Sequence, residues 1–165
     1  MFLLSFALMG MNAIDLHSCL PPQNGILIYN RTKTCRARAD KAEMHVRIPA
    51  EIKPLFEKWK DPTGERALRL HLKTTSPIFV SELSTGLRRA CKIMKITEPL
   101  TFYSARHTWA TLAYSAGIDK AVINDCLCHV DSSMRVTDIY IAKDWEVMWK
   151  ANEKVLSLFD WSKCQ

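Results

Sequence analysis

"TFYSARHTWATLAYSAG" (residues 101–117) holds the pattern around which the rest of the chain organises. Ala105, Trp109, Leu112, Ala113 and Ala116 recur at helical spacing, and Gly117 stands where a C-terminal cap belongs. The spacing predicts a helix that starts near Ser104 and stops at Gly117. Arg106 and His107 fall in its first turn, where the helix dipole disfavours a cation. An arginine there calls for a negative partner. That partner is either a carboxylate or an anion such as phosphate, seated on the unpaired N–H groups of the first turn.

Working outward, "GILIYN" (25–30) and "EMHVRIPA" (43–50) are short β-type runs. Between them lies a basic connector holding Arg31, Lys33, Arg36, Arg38 and Lys41 against Asp40, expected as an exposed hairpin or loop. Residues 2–16 are apolar and predict one buried helix. Residues 50–60 carry a helical stripe of Ile52, Leu55, Phe56 and Trp59, with Pro54 in the first turn. Residues 61–76 are polar and turn-like, and 77–96 predict a helix despite Gly86 in its middle. "DKAVINDCLCH" (119–129) is a short amphipathic segment. Residues 139–161 predict a final helix with an apolar stripe of Trp145, Met148, Trp149, Val155, Leu156 and Phe159. The expected fold class is mainly α with one small antiparallel β-sheet (α+β), in a single domain.

Composition narrows the function classes. The 165 residues are 48% apolar and 24% charged, the balance of a soluble globular domain with its own core. A net charge of +6 leans towards an anionic partner. The six cysteines form no CxxC pair, so they are expected as reduced thiols in a cytoplasmic protein. Cys126, Cys128 and His129 offer a metal only half a ligand set, with His17 and Cys19 far off in sequence; no metal is expected. The apolar start lacks the positive lead of a signal peptide and meets Asn12 and Asp15 too soon to span a bilayer. A chain that opens inside a core helix, without cap or polar lead, is expected to be truncated at its N-terminus.

Taken together, "YSARHTWATLAYSAG", "INDCLCHVD" and "TDIYI" resemble the tyrosine recombinases, or phage integrases. The family pattern is His-x-x-Arg-His opening a helix, then Gly-His, then a tyrosine before a C-terminal helix. Arg106 matches the arginine, His129 the later histidine and Tyr140 the nucleophile. His129 stands 23 residues beyond Arg106, and Tyr140 a further 11. "GMNAID" (10–15) is similar to the branch found in mobile elements. The resemblance implies the DNA breaking-rejoining fold, with residues 1–165 as one catalytic domain whose upstream DNA-grasping domain is absent. It also implies double-stranded DNA as partner, self-association (a tetramer on DNA in the full-length protein) and no cofactor. The expected compartment is the bacterial cytosol or nucleoid.

The chemistry implied is strand cleavage through a 3′-phosphotyrosine. Such a reaction needs a nucleophile, an acid for the leaving oxygen and fixed positive charge around the phosphorane. Tyr140 would attack, Lys33 would protonate the leaving 5′ oxygen, and His129 would donate to a non-bridging oxygen or assist proton movement. Arg31, Arg36, Arg38 and Lys41 would contact DNA. Two positions depart from the pattern. The family's first arginine falls at Asn12, or one turn earlier at Met9, and the first histidine is Tyr103, a catalytic candidate that can donate a hydrogen bond but is a poor base near neutral pH. Losing one such donor typically costs roughly 10²–10³ in rate, unless Arg31, Arg36 or Arg38 stands in. The glycine before the second histidine is Cys128, tolerable only where φ is negative.

Each assignment has a plainer alternative. Tyr140, between Ile139 and Ile141, could be a packing residue, and Lys33 could touch only backbone phosphates. His107 is expected to be buried and hydrogen-bonded. Tyr29 and Tyr114 are expected in the core or a strand. For the whole chain, the alternatives are a catalytically impaired DNA-binding remnant and a helical interaction module without nucleic acid.

Overall fold

A computed structural model describes residues 1–129 and 143–162. Its central element is the helix at the heart of the sequence pattern. The described helices are α1 (Phe2–Ala7), α2 (Ala13–Ser18), α3 (Lys53–Trp59), α4 (Ser76–Ile93), α5 (Ser104–Ser115), α6 (Lys120–Cys126) and α7 (Trp145–Leu156). Strands β1 (Ile26–Asn30) and β2 (Glu43–Arg47) pair antiparallel, with Ile26 opposite Arg47 and Asn30 opposite Glu43. The fold is mostly helical with one two-stranded antiparallel sheet, as expected.

Helix α5 packs against α1, α6 and α7. Ala105, Trp109 and Ala113 face inward with essentially no exposure. Gly117 ends it at φ 75°, where the Ile118 N–H returns to Ala113 O and the Gly117 N–H to Tyr114 O. That is the paired-bond cap a left-handed residue permits. Trp109 Nε1 donates to Asn152 Oδ1 at 2.8 Å, and Asn152 Nδ2 donates to Ala7 O at 2.8 Å. One buried asparagine therefore ties α7 to both α5 and α1.

The predicted helix over residues 2–16 is in fact two. Between α1 and α2 the chain turns through Met9 (φ 56°) and Gly10 (φ 68°). Ser5 closes the corner: its carbonyl accepts the N–H groups of Gly10 and Met11, and its hydroxyl donates to Met11 O at 2.7 Å. Leu8, Met9 and Met11 are buried at the turn as they would be in a helix. Apolar patterning therefore cannot reveal the break.

Other expectations also change. The 61–76 stretch is not merely polar turn, because Ala67, Leu68 and Leu70 enter the core. Buried Asp61 organises that stretch by accepting from Thr63 N, Thr63 Oγ1 and Arg66 N. Gly86 does not interrupt α4, of which only Phe79 is fully buried. Tyr114 is exposed, with Lys120 Nζ over its ring at 5.4 Å. Phe159 lies past the end of α7 and is exposed, so the buried stripe there is Met148, Ala151, Asn152, Val155 and Leu156. The Trp149 N–H donates to His45 O at 2.9 Å, and Arg47 lies over its ring at 4.0 Å, docking α7 on β2. Among the described residues no helix is long and apolar enough to cross a membrane.

Candidate functional site

Arg106 leaves the first turn of α5 and runs inward, with only 5% of its surface exposed. Nη1 donates to Gly10 O at 3.2 Å, and Nη2 donates to Leu127 O. Gly10 belongs to the corner between α1 and α2, and Leu127 is the C-cap of α6. The arginine thus trades the unfavourable positive end of its own helix for the carbonyl end of another, where a cation is favoured. Among the described residues no carboxylate forms an ion pair with it.

Arg31 was expected on an exposed connector, yet it is buried, with 6% exposure. It follows directly on β1, and its Nη1 donates to Cys128 O at 3.2 Å. The next residue is clamped to α2: Thr32 N and Thr32 Oγ1 donate to Asp15 Oδ1 at 2.9 and 2.7 Å. Asn12 Nδ2 approaches the other oxygen of Asp15 at 3.5 Å. Buried polar groups seek such partners, and Asp15 is taken up by these donors. The Nε atoms of Arg31 and Arg106 are both buried without a hydrogen-bond partner among the described residues. Burial, then the charge of Arg31, holds the Arg106 guanidinium below its usual value.

His129 follows α6 directly. Cys128 N–H returns to Asp125 O and His129 N–H to Asn124 O, both at 2.8 Å, with Cys128 at φ 49°. The negative φ that would make cysteine harmless here is absent. A side chain in the left-handed region costs about 1–2 kcal/mol. The ring of His129 is pushed below the ordinary imidazole value, first by desolvation, then by Arg106, Arg31, His107 and Lys33. Its neutral form is favoured. His107, expected buried, is exposed and meets the Tyr103 ring edge-on at 4.7 Å.

Lys33 is exposed beside these groups. Asn12, Arg31, Lys33, Thr101 and Tyr103 line one cavity of about 530 Å³. Arg36, Arg38 and Lys41 do not line it. Arg38 instead grips Asp40 through Nε at 2.7 Å and Nη2 at 2.6 Å, and Lys143 Nζ reaches the same carboxylate at 3.1 Å. Arg36 and Lys41 are exposed, Lys41 at φ 50°. Tyr140 lies outside the described residues.

Two participants were not expected from the sequence. Gly10 supplies a carbonyl to Arg106, and only its place in "MGMN", ahead of a polar residue, marked it. Tyr29 was assigned only to a strand or the core. Desolvation and then Asp15 push its phenol up, while Arg106 and Arg31 pull the other way. Its strand therefore borders the arginine cluster.

Residues 23–146, most of the chain, match the model of the phage integrase family. No curated protein and no solved structure matched the chain.

Proposed function

The chain belongs to the phage integrase family, whose members break and rejoin DNA, and from that premise we propose that it is a site-specific tyrosine recombinase acting in DNA integration. The observation that carries the reading is the grouping of Arg106, Arg31 and Lys33 with His129, a concentration of positive charge in which, among the described residues, no carboxylate forms an ion pair with either arginine. Such a group suits a backbone phosphate passing through a phosphorane.

In this mechanism the Tyr140 hydroxyl releases its proton to solvent as it attacks phosphorus and forms the Tyr–O–P bond. The P–O bond to the 5′ oxygen breaks, and Lys33 protonates that oxygen. Arg106 stabilises the charge on the non-bridging oxygens. His129, whose neutral form its surroundings favour, donates its ring N–H to one of them. Reversal with a new 5′ hydroxyl reseals the strand. Double-stranded DNA is the partner, and protomers assemble on it.

The deciding experiment offers a nicked suicide substrate that traps the covalent intermediate. The wild-type chain is expected to form a DNA adduct that Tyr140→Phe abolishes. No adduct from the wild type refutes the reading. A second reading, a DNA-binding remnant with impaired chemistry, is favoured by Asn12 and Tyr103. It predicts salt-dependent duplex binding, weakened by Arg106→Ala, without any adduct.

A further inference from the structure

We infer that Asp40 and Lys143 form a clasp that positions the segment carrying the nucleophile against the hairpin of the same chain, which makes both of them positioning residues for strand cleavage. The inference rests on the recombinase reading for the role of Tyr140. The clasp itself stands on contacts between described residues.

The connector between β1 and β2 (residues 31–42) carries five cations and a single acid, Asp40. Arg38 grips that acid through Nε at 2.7 Å and Nη2 at 2.6 Å, the Ala42 N–H donates to it at 3.0 Å, and Lys143 Nζ donates at 3.1 Å. Lys143 Nζ also donates to Glu43 O at 2.9 Å and lies 5.4 Å from the centre of the Trp145 ring. Only 18% of the Lys143 side chain is exposed, whereas lysines ordinarily keep theirs in water. An isolated surface ion pair contributes little. This one belongs to a network that includes a bidentate arginine, the arrangement that does fix a geometry.

The backbone under Asp40 is equally constrained. Lys41 (φ 50°) and Ala42 (φ 53°) are consecutive left-handed residues, neither of them glycine, and the Glu43 N–H closes the turn on Asp40 O at 3.1 Å. Such a turn ordinarily takes asparagine or glycine. Strain of this kind persists where the surroundings over-determine it, and it gathers at sites with a task. Here the Asp40 carboxylate holds the turn through Ala42 and the lysine through its ammonium, so turn and clasp are one structure.

Beyond the clasp, the start of α7 is fastened to β2. The Trp145 ring stacks on His45 at 4.4 Å, and Arg47 Nη2 donates to Glu146 Oε1 at 2.8 Å. Lys143 carries that seam two residues further towards Tyr140. Three residues of chain reach about 11 Å at most, so a fixed Lys143 bounds where the tyrosine can stand. The connector on the other side of the clasp bears Lys33, the proposed acid for the leaving oxygen. Nucleophile and acid thus hang from the two halves of one ion pair. Misplacing a reacting group by about 1 Å can cost about 10²-fold in rate.

The test follows single-turnover adduct formation by the 165-residue chain on the nicked suicide substrate, across DNA concentrations. Lys143→Met is expected to lower the rate at saturating DNA about ten- to hundredfold and to leave the half-saturating DNA concentration unchanged. Asp40→Asn should act alike, and the double variant should lose little more than either, because both remove one pair. In Lys143→Met the Asp40 carboxyl, followed by NMR, should titrate higher than in the wild type. A raised half-saturating concentration with the saturating rate intact would make Lys143 a DNA contact and overturn the clasp. So would a lowered Tm with the rate unchanged while the variant is folded, which is what a merely structural pair would give. Additive losses in the double variant, or an unmoved Asp40, also overturn it. If Lys143→Met fails to fold, an undiminished saturating rate in Asp40→Asn decides against the clasp. These results leave the recombinase reading standing wherever the wild type forms its adduct. A wild type without adduct refutes that reading and the positioning role with it, while a raised Asp40 titration would still establish the pair.

Discussion

Gly10 lies against Arg106 so closely that a Cβ built on the glycine would stand 2.7 Å from both Cβ and Cγ of the arginine. The corner between α1 and α2 and the inward course of Arg106 are therefore one feature. The glycine turns the chain at φ 68°, leaves room for the arginine stem and offers its carbonyl to Nη1.

Gly10→Ala should accordingly be among the most damaging small substitutions in the protein. It adds left-handed strain to a collision with a buried side chain, together roughly 2–4 kcal/mol. Gly25→Ala is the control, because a Cβ there meets nothing within 4 Å at φ 78°. Denaturant midpoints should show Gly10→Ala losing clearly more than Gly25→Ala. Equal losses would mean that the close approach to Arg106 is unimportant.

Asn152→Ala should destabilise the protein by about 2–4 kcal/mol. It leaves the Trp109 N–H and the Ala7 carbonyl buried without partners, and each orphan costs about 1–3 kcal/mol. Double-mutant cycles with Trp109→Phe should show strong coupling, since either change breaks the same bond. Additive losses would contradict the observed Trp109–Asn152–Ala7 chain.

The His129 ring should titrate below the ordinary imidazole value of about 6.5. Its neutral form is favoured in the folded state, so its contribution to stability is complete above the unfolded pKa. That contribution is lost as pH falls through the folded one. NMR titration of the ring should show the pKa rising in Arg106→Met and again when inorganic phosphate is added. A wild-type pKa at or above the ordinary value would place the ring away from the arginines.

Asp61 provides a second pH marker, outside the lining of the candidate cavity. Burial alone would raise its carboxyl, but the Thr63 N–H and hydroxyl, the Arg66 N–H and His71 outweigh that and bring it to about 2. Its stabilising contribution is present above the unfolded carboxylate value and lost as pH falls through about 2. Urea midpoints of wild type and Asp61→Asn should differ at pH 5 and converge as the pH approaches 2. A constant gap would assign the role of Asp61 to something other than its charge.

Much of this protein was legible as one-dimensional pattern. The α5 helix and its Gly117 cap, the paired strands, α3 and α4 follow from apolar spacing and capping residues, which are local and repeat along the chain. The intervals among Arg106, His129 and Tyr140 likewise carried the family likeness, which the match over residues 23–146 bears out at the level of the family. Tertiary contacts decided the rest. The break at Gly10 serves Arg106, 96 residues away, and a turn buried on both sides keeps the apolar pattern of a helix. Arg31 reads as one more cation on an exposed loop, because sequence shows its charge but not the Cys128 carbonyl 97 residues on that draws it inside. His107 and Tyr114 went the other way, out to solvent. A helix face is buried only where another element arrives to cover it, and that arrival is a property of the folded chain.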